Sequence, residues 1–246
     1  MQELYMGDQE ITPVDPTPGV VTVGDVTYHL DLIQGTDEWL HQRLGIMTAS
    51  EMKLILTPTL KIAANAKEKL HLYALLAQRV NDYIEPSYVS DDMLRGINSE
   101  AEVQRIYGEN HAPVRNCGFV TTDRLGFTLG YSPDGLVGDD GLIEIKTRMA
   151  KHQMQTILDG DVPTEYMLQL QTGLLVTGRK WIDFISYCGG LPMFVKRVFP
   201  DPKFQDAIIE AAHGFEMRLQ GKLAEYKAKA AIMIQTERLD DEDISI

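Results

Sequence analysis

Two short segments of the chain carry residues whose types and spacing suit chemistry on a phosphate group. Asp134 lies in a Pro-Asp-Gly sequence, and ten residues later Glu144 and Lys146 flank an isoleucine. Alternate residues of a strand share one face, so Glu144 and Lys146 point the same way, and Asp134 meets Glu144 if it ends the neighbouring strand of a hairpin. Two carboxylates would bind Mg²⁺, and the lysine could activate a water or stabilise charge on the phosphate.

A purely structural interpretation of the same residues is simpler. Pro-Asp-Gly is a common turn, and Glu-Ile-Lys is what any half-exposed strand looks like. Both interpretations place a hairpin turn at the Gly-Asp-Asp-Gly sequence of residues 138–141. The spacing alone therefore predicts the hairpin and leaves its chemistry open.

The composition excludes several classes of protein. The chain has 246 residues, and no apolar run approaches the roughly 20 residues that span a bilayer. The acidic, polar N-terminus predicts no secretory signal. Cys117 and Cys188 match no metal-ligand spacing, and they are too few for a disulfide framework or for the ligands of an iron–sulfur cluster. We therefore expect a cytoplasmic protein with no membrane partner.

The net charge of −13 bears on the partner that the chain could bind. Taken alone, this charge argues against nucleic acid, because phosphate binding needs clustered lysine and arginine. A bound metal would supply positive charge, and a few basic residues concentrated in a channel can coexist with an acidic exterior. The charge therefore does not exclude a nucleic-acid substrate.

The elements around the two segments predict an α/β protein in a single domain, with a central mixed sheet flanked by helices. We expect an extended N-terminal arm at 1–24, a domain at 25–235 and an acidic tail at 236–246. A capping box, Thr48 to Glu51, predicts a helix start. Further helices are predicted at 62–84, 91–107, 164–176 and from Asp201 to about Ile234. Strands are predicted at 26–33, 113–122, 125–131, 141–147, 181–187 and 193–199.

Four ordered blocks resemble a known family. Pro133-Asp134 followed by Glu144-Ile145-Lys146 matches the PD-(D/E)XK nuclease signature, and the whole set is similar to the phage lambda exonuclease family, also called YqaJ-type viral recombinases. The blocks are WLHQRLGIMTAS at 39–50, GINSE at 96–100, the segment 132–146, and YMLQLQ at 166–171. The resemblance spans roughly residues 34–187 and implies a PD-(D/E)XK nuclease-like fold.

The resemblance also implies an activity and partners. Such proteins are Mg²⁺-dependent 5′-to-3′ exonucleases that degrade linear double-stranded DNA and leave a 3′ single-stranded overhang. They form rings of three subunits around the DNA and work beside a single-strand annealing protein in phage recombination. Two Mg²⁺ ions are expected, with Mn²⁺ as a substitute. The alternatives are a structure-specific or restriction-type endonuclease and a non-catalytic DNA-binding recombination scaffold.

Residues of the metal site follow from the same resemblance. Glu100 becomes a further acidic group near the ions, although it could instead be a solvated helix carboxylate paired with Arg95 or Arg105. Gln169 faces the metals, and Gln171, 200° around the same helix, faces away; an ordinary polar role at a core edge is the alternative for Gln169. The expected ligands are Asp134, Glu144, Glu100 and the backbone carbonyl of Ile145, and the expected catalytic residues are Asp134, Glu144, Lys146, Glu100 and Gln169.

A second cluster is expected to bind the terminal 5′ phosphate. Ser50 falls in the first turn of the helix that Thr48 caps, where free N–H groups and the helix dipole attract an anion, and Arg43 could add a two-pronged contact. A good helix cap with a nearby surface arginine is the structural alternative. The resemblance assigns both residues to the 5′ phosphate, with Ser132 close by. After Lys146 the chain departs from the family pattern, and Arg148, Lys151 and His152 are candidates for contacts with backbone phosphates.

Overall fold

A computed structural model describes residues 19–85 and 91–238 of the chain. Short strands and helices alternate through its first two thirds, and a long helix closes it. In chain order the elements are β1 (Val20–Val23), β2 (Val26–His29), α1 (Asp37–Gln42), β3 (Met47–Thr48), α2 (Met52–Ile55), α3 (Ala66–Asn81), α4 (Asp91–Asn110), β4 (Val114–Arg115), β5 (Phe119–Thr122), β6 (Leu129–Tyr131), β7 (Gly135–Val137), β8 (Gly141–Thr147), α5 (Ala150–Asp159), α6 (Thr164–Thr177), β9 (Trp181–Tyr187), β10 (Phe194–Val198) and α7 (Pro202–Ala230).

The strands form two mixed sheets, which confirms the predicted α/β fold class. The first has the order β1-β2-β5-β6-β3 and the second β10-β9-β8-β7-β4. Each sheet contains one parallel pair, β3 with β6 and β8 with β9, and its other pairs are antiparallel. The chain visits the second sheet first at β4, returns to the first sheet for β5 and β6, and crosses again between β6 and β7 within residues 132–134, so the Ser-Pro-Asp sequence lies at a junction between the sheets.

The second sheet is covered on both faces, which explains why residues 141–145 of β8 are all buried, Glu144 included. Ile143 and Ile145 pack with Val103 and Tyr107 of α4 in one hydrophobic cluster. Leu142 belongs to the other, larger cluster, which includes residues of α6 and α7. Because side chains alternate along a strand, Glu144 and Lys146 share the face of Leu142 and point towards α6.

Helix α6 lies between the two sheets and is buried on nearly all sides. It contacts α2, α7, β5, β6 and β9. The helix is apolar around most of its circumference, as expected for an interior helix. It ends at Gly178, which adopts the left-handed conformation that glycine accepts readily. None of the helices in the described part of the chain is both long and apolar enough to cross a membrane.

Several sequence predictions need correction. Residues 1–18 of the expected arm lie outside the described residues, whereas 20–23 form β1, which turns into β2 through Gly24 with φ of 58°. This two-residue turn between alternating runs is a hairpin pattern. The final helix ends at Ala230 instead of continuing to about Ile234. Strand β7 and helix α5 were not predicted, because β7 is only three residues long and α5 opens without a capping side chain.

The capping box at Thr48 is also wrong in its details. Thr48 does precede a helical segment, but the segment is a 3₁₀ turn at Ala49–Glu51 followed by the short α2. The Thr48 hydroxyl donates to the Glu51 carboxylate at 2.6 Å instead of accepting from a backbone N–H group. A stronger local hydrogen bond to an ionised group has replaced the expected cap.

Candidate active site

Asp134 and Glu144 face each other at the junction between the sheets. The register of β7 and β8 pairs Gly135 with Ile143, so Asp134, one residue earlier, lies opposite Glu144. The backbone N–H of Ile145 donates to Oδ2 of Asp134 at 2.6 Å and fixes the aspartate against β8. The hairpin therefore brings the two carboxylates together as the spacing predicted.

Glu144 accepts three side-chain hydrogen bonds although it is only 2% exposed. Lys146 Nζ donates to Oε1 at 2.7 Å, and Gln169 Nε2 donates to the same oxygen at 2.6 Å. The hydroxyl of Tyr131 donates to Oε2 at 2.7 Å. The buried negative charge of Glu144 is thus stabilised from β6, β8 and α6 at once.

The two glutamines of α6 divide as the helical geometry requires. Gln169 contacts Glu144, whereas Gln171 is fully buried on another side of the helix. Gln171 donates to the carbonyl of Phe199 at 2.8 Å and accepts from the N–H of Asp201 at 2.8 Å. Gln171 therefore supports the start of α7, and Gln169 is the glutamine that the structure brings to the acidic residues.

Glu100 approaches the acidic pair from α4. Its pKa is raised by burial and by the charge of Glu144, with Lys146 opposing. The alternative pairing with Arg105 does not occur, because Arg105 binds Glu102 and Glu109 on the exposed side of α4. The other expected partner of Glu100, Arg95, lies among the residues whose side chains the structure does not describe. Glu100 therefore lies on the side of α4 that faces the site, where it lines one cleft together with Asp134.

The site carries more buried acid than base. Burial raises the pKa of Asp134 well above its usual range, and the nearby charge of Glu144 raises it further, against the opposing effect of Lys146. Burial lowers the pKa of Lys146, but Glu144 and Asp134 outweigh that effect and the pKa is raised. Acids that repel one another in this way are an electrostatic match for a divalent cation.

The number of ligands limits which cation would fit. Across residues 19–85 and 91–238, no three or more histidine, cysteine, aspartate or glutamate side chains are grouped closely enough to hold a metal ion. Glu100 therefore does not complete a three-carboxylate cage with Asp134 and Glu144. Mg²⁺ is commonly bound by one or two carboxylates, with waters and substrate phosphates supplying the rest, so the donors present suit it.

Arg43 anchors a second cluster beside the acidic residues. Its guanidinium lies 4.2 Å from the ring centroid of Trp39 and donates to Oγ of Ser132 at 3.1 Å and to Oγ1 of Thr48 at 3.5 Å. Burial lowers the pKa of Arg43, with Glu51 opposing. Within the described residues, Arg43 hydrogen-bonds to hydroxyls and to no carboxylate, which leaves its charge available to an anion.

Ser50 belongs to the same cluster, but not for the reason that the sequence suggested. It is exposed, and its hydroxyl lies 3.4 Å from that of Thr48. The helical segment here is one 3₁₀ turn and a four-residue helix, too short for a substantial dipole. An anion bound at this point would therefore be held by Arg43 and the hydroxyl groups and not by a helix dipole.

One cavity of about 210 Å³ joins the two clusters. A second cleft of about 370 Å³ adjoins it, and the two share Gln34 and Asp134. Glu100 lines the second cleft only. The lining of the first cavity consists of Gln34, Trp39, Arg43, Thr48, Ala49, Ser50, Tyr131, Ser132, Asp134, Glu144, Ile145, Lys146 and Gln169.

Four further residues make hydrogen bonds within the site and were not assigned a role from sequence. Trp39 Nε1 donates to Ser132 Oγ at 3.1 Å and to the carbonyl of Gly118 at 3.0 Å. Gln34 and Gln104 donate to the carbonyls of Pro133 and Asp134, at 3.0 Å and 2.6 Å. The position of Gln104 beside the site could have been predicted, because it lies one helical turn after Glu100 on the same face of α4. The fourth is Tyr131, whose contact with Glu144 depends on tertiary structure.

The basic residues after Lys146 are only partly available to a substrate. Arg148 is largely buried and contacts Thr156 at 3.3 Å and Glu165 at 3.5 Å, so it ties β8 to α5 and α6. Lys151 is exposed and His152 is half-buried on α5. Contacts of these residues with backbone phosphates remain predictions.

Comparisons with known proteins match the chain to a family and to solved structures. Residues 38–180 match the YqaJ-like viral recombinase domain. The chain is similar to an alkaline exonuclease, LHK-Exo, from Laribacter hongkongensis, with 32% identity over 80% of this chain and 98% of that chain and a TM-score of 0.72. The structure of LHK-Exo in complex with dAMP gives the same identity and coverage and a TM-score of 0.68. No curated protein matches the chain.

Proposed function

This chain belongs to the family of YqaJ-like viral recombinase domains, and from that membership we propose that it is a Mg²⁺-dependent exonuclease that degrades linear double-stranded DNA from its 5′ ends. One observation carries the proposal: a single cavity contains both the Arg43–Ser132 cluster and the carboxylates of Asp134 and Glu144. An enzyme that removes nucleotides from an end must hold the end and cut beside it. The relative that binds dAMP supports a deoxymononucleotide as the product.

The Arg43 cluster would hold the terminal 5′ phosphate. Arg43 offers a planar fork of donors that is already oriented by stacking on Trp39. Ser132 adds a hydroxyl that Trp39 and Arg43 both contact. Because Ser132 is two residues from Asp134, the distance from the held phosphate to the cut site is set by one short segment of chain. That fixed distance favours release of one nucleotide at a time.

Asp134 and Glu144 would hold the metal, with the carbonyl of Ile145, water and phosphate oxygens completing its shell and Glu100 acting directly or through water on a second ion. When bound, Mg²⁺ or Mn²⁺ would polarise the phosphate and help to deprotonate the attacking water. Lys146 Nζ lies 2.7 Å from Glu144. Its positive charge would stabilise the negative charge that the phosphate gains in the transition state. Gln169 keeps the carboxylate oriented. The strand that remains would be left as a 3′ overhang.

Linear and closed circular duplex separate this proposal from the alternatives. With Mg²⁺, the exonuclease releases mononucleotides from linear duplex and leaves a covalently closed circle intact. A structure-specific or restriction-type endonuclease would convert the circle to linear or fragmented DNA. A non-catalytic recombination scaffold would bind linear duplex and release no nucleotide. EDTA added to a parallel reaction tests the metal requirement.

Arg43→Ala should remove most of the preference for 5′-phosphorylated over 5′-hydroxyl ends. We expect the rate on phosphorylated duplex to fall by about 100-fold and the rate on the hydroxyl substrate to fall much less, since the lost contact is to the phosphate. Initial rates on matched duplexes measure this. Arg105→Ala, which removes an exposed arginine outside the cavity, is the control. An equal loss on both substrates would make Arg43 a general DNA contact instead.

A ring of three subunits and a single-strand annealing partner complete the proposal. A net-negative subunit would hold DNA poorly alone, whereas a ring can line its inner wall with basic residues from three copies and enclose the duplex. Helices α3 and α7 expose apolar side chains that an interface could cover, namely Leu70, Tyr73, Met217 and Tyr226. Sedimentation at micromolar concentration decides this, and a monomer with and without DNA would exclude the ring.

A further inference from the structure

Tyr131 is a buried polar residue at the centre of the site for which the proposed chemistry has no use. It is 1% exposed, and its hydroxyl makes a 2.7 Å hydrogen bond to Oε2 of Glu144. Because a carboxylate oxygen accepts hydrogen bonds, the Tyr131 hydroxyl is the donor in this contact and its proton points at Glu144. Tyr131 therefore does not act as a base.

The bond divides the two oxygens of Glu144 between different partners. Oε2 is bonded to Tyr131 on the β6 side. Oε1 is bonded to Lys146 and Gln169, which line the same cavity as Arg43 and Asp134. A carboxylate can rotate about its terminal bond, and a donor held by the core on one oxygen stops that rotation. With Oε2 held by Tyr131, Oε1 stays beside Lys146 and Gln169.

The Tyr131 ring packs against the backbone of α6 at Gly173, which we call the seat of the ring. A Cβ atom added to Gly173 would lie 2.9 Å from two atoms of that ring, a distance at which something must move. Glycine inside a helix costs about 1 kcal/mol relative to alanine, so its presence here calls for a packing reason. Gly173 is one helical turn after Gln169, so the same helix positions both the ring and the amide that act on Glu144.

We propose that Tyr131 is a positioning residue that locks Glu144 so that one defined oxygen faces the metal position, with Gly173 as the seat that makes this possible. The inference rests on the proposed function, because it assigns Glu144 to the metal. The ligand concerned is a divalent cation with a preference for carboxylate oxygens. The partners of a metal ligand commonly affect affinity about 10- to 100-fold, which sets the size of the expected effect.

Tyr131→Phe tests the proposal, and the chain offers a matched control. Tyr107 is also fully buried, and its hydroxyl donates to the buried carboxylate of Asp183 at 2.6 Å, away from the cavity. Tyr107→Phe thus makes the same chemical change on the far side of the second sheet. Both variants keep the ring, so both are expected to fold, and thermal unfolding in EDTA checks this.

The main readout is binding of Mn²⁺ to the DNA-free protein, measured by calorimetry, which requires no catalysis. We expect Tyr131→Phe to weaken Mn²⁺ binding about 10-fold or more, and Tyr107→Phe to leave it within about twofold. The Mg²⁺ concentration for half-maximal cleavage should rise in parallel for Tyr131→Phe only. Unchanged Mn²⁺ binding by Tyr131→Phe, or an equal loss in both variants, would overturn the proposal.

Gly173→Ala gives an independent test that leaves the hydroxyl in place. It should displace the Tyr131 ring and reproduce the weakened Mn²⁺ binding. Wild-type affinity in a folded Gly173→Ala protein would contradict the assigned seat. If the wild type binds Mn²⁺ but does not cleave DNA, the proposed function fails while the comparison of Tyr131→Phe with Tyr107→Phe still decides the role of Tyr131.

Discussion

Asp134→Asn is expected to reduce the rate of DNA cleavage by at least about 1,000-fold while the protein stays folded. Asparagine keeps the size of the side chain and an oxygen for the N–H of Ile145, but it removes one of the two charges that would bind the metal. Single-turnover digestion of linear duplex in saturating Mg²⁺ measures the change. Asp140→Asn, at a half-exposed aspartate paired with Lys180, is the control and should retain full activity.

The same substitution should stabilise the metal-free protein. Burial and Glu144 raise the pKa of Asp134 in the folded state, so the folded protein binds more protons here than the unfolded chain. Stability is then lost as the pH rises from the unfolded pKa towards the folded one. Asparagine does not titrate, so the variant does not lose this stability. In EDTA at pH 7 we expect the free energy of unfolding of Asp134→Asn to exceed that of the wild type by about 1 to 2 kcal/mol.

Denaturant unfolding at several pH values measures this difference. The advantage of Asp134→Asn should grow with pH and vanish at acid pH, where both states carry a protonated aspartate. A variant that is less stable than the wild type at pH 7 would contradict the charge repulsion inferred at the site. Near-wild-type cleavage with Mg²⁺ would remove Asp134 from the proposed mechanism altogether.

Lys146→Met should also reduce cleavage strongly, by about 100- to 1,000-fold in turnover, with little loss of DNA binding. The reason is that the lysine charge matters most in the transition state, when the phosphate gains negative charge. Turnover and DNA affinity are measured separately, the latter in Ca²⁺ to prevent cleavage. A loss confined to the Michaelis constant would make Lys146 a binding residue.

The stability effect of Lys146→Met has the opposite sign to that of Asp134→Asn. Lys146 is the cation that pairs with Glu144 at 2.7 Å, and Glu144 is 2% exposed. Breaking a buried ion pair from one side leaves a buried charge, which costs about 3 kcal/mol or more. In EDTA we therefore expect Asp134→Asn to be more stable than the wild type and Lys146→Met to be less stable. Equal and negligible effects would mean that water reaches the site freely.

The chemistry of the site was more predictable from sequence than its setting. Asp134, Glu144 and Lys146 lie on one hairpin, where a period of two and a short turn determine which residues meet. Gln169 and Gln171 separate by helical geometry alone. These local rules needed no knowledge of the rest of the fold, whereas the choice of Gln169 over Gln171 for the site came from the family resemblance.

Features that depend on distant contacts could not be predicted in this way. The division into two sheets at residues 132–134 arises because β6 pairs with β3 and β5, whereas β7 pairs with β4 and β8. Tyr131 looked like an ordinary strand residue, and its hydrogen bond to Glu144 joins β6 to β8, with its ring packed against Gly173 of α6. The Thr48 cap failed because a nearby carboxylate competed for the hydroxyl.

End-labelled duplex tests most directly whether one cavity holds a 5′ end and cuts beside it. One strand of a blunt linear duplex carries a label on its 5′-terminal nucleotide or, in a second preparation, on its 3′-terminal nucleotide. With Mg²⁺, the account predicts that the 5′ label leaves first as a deoxymononucleotide, while the 3′ label stays on strands that shorten slowly. Earlier release of the 3′ label, labelled internal fragments, or no release at all would contradict it.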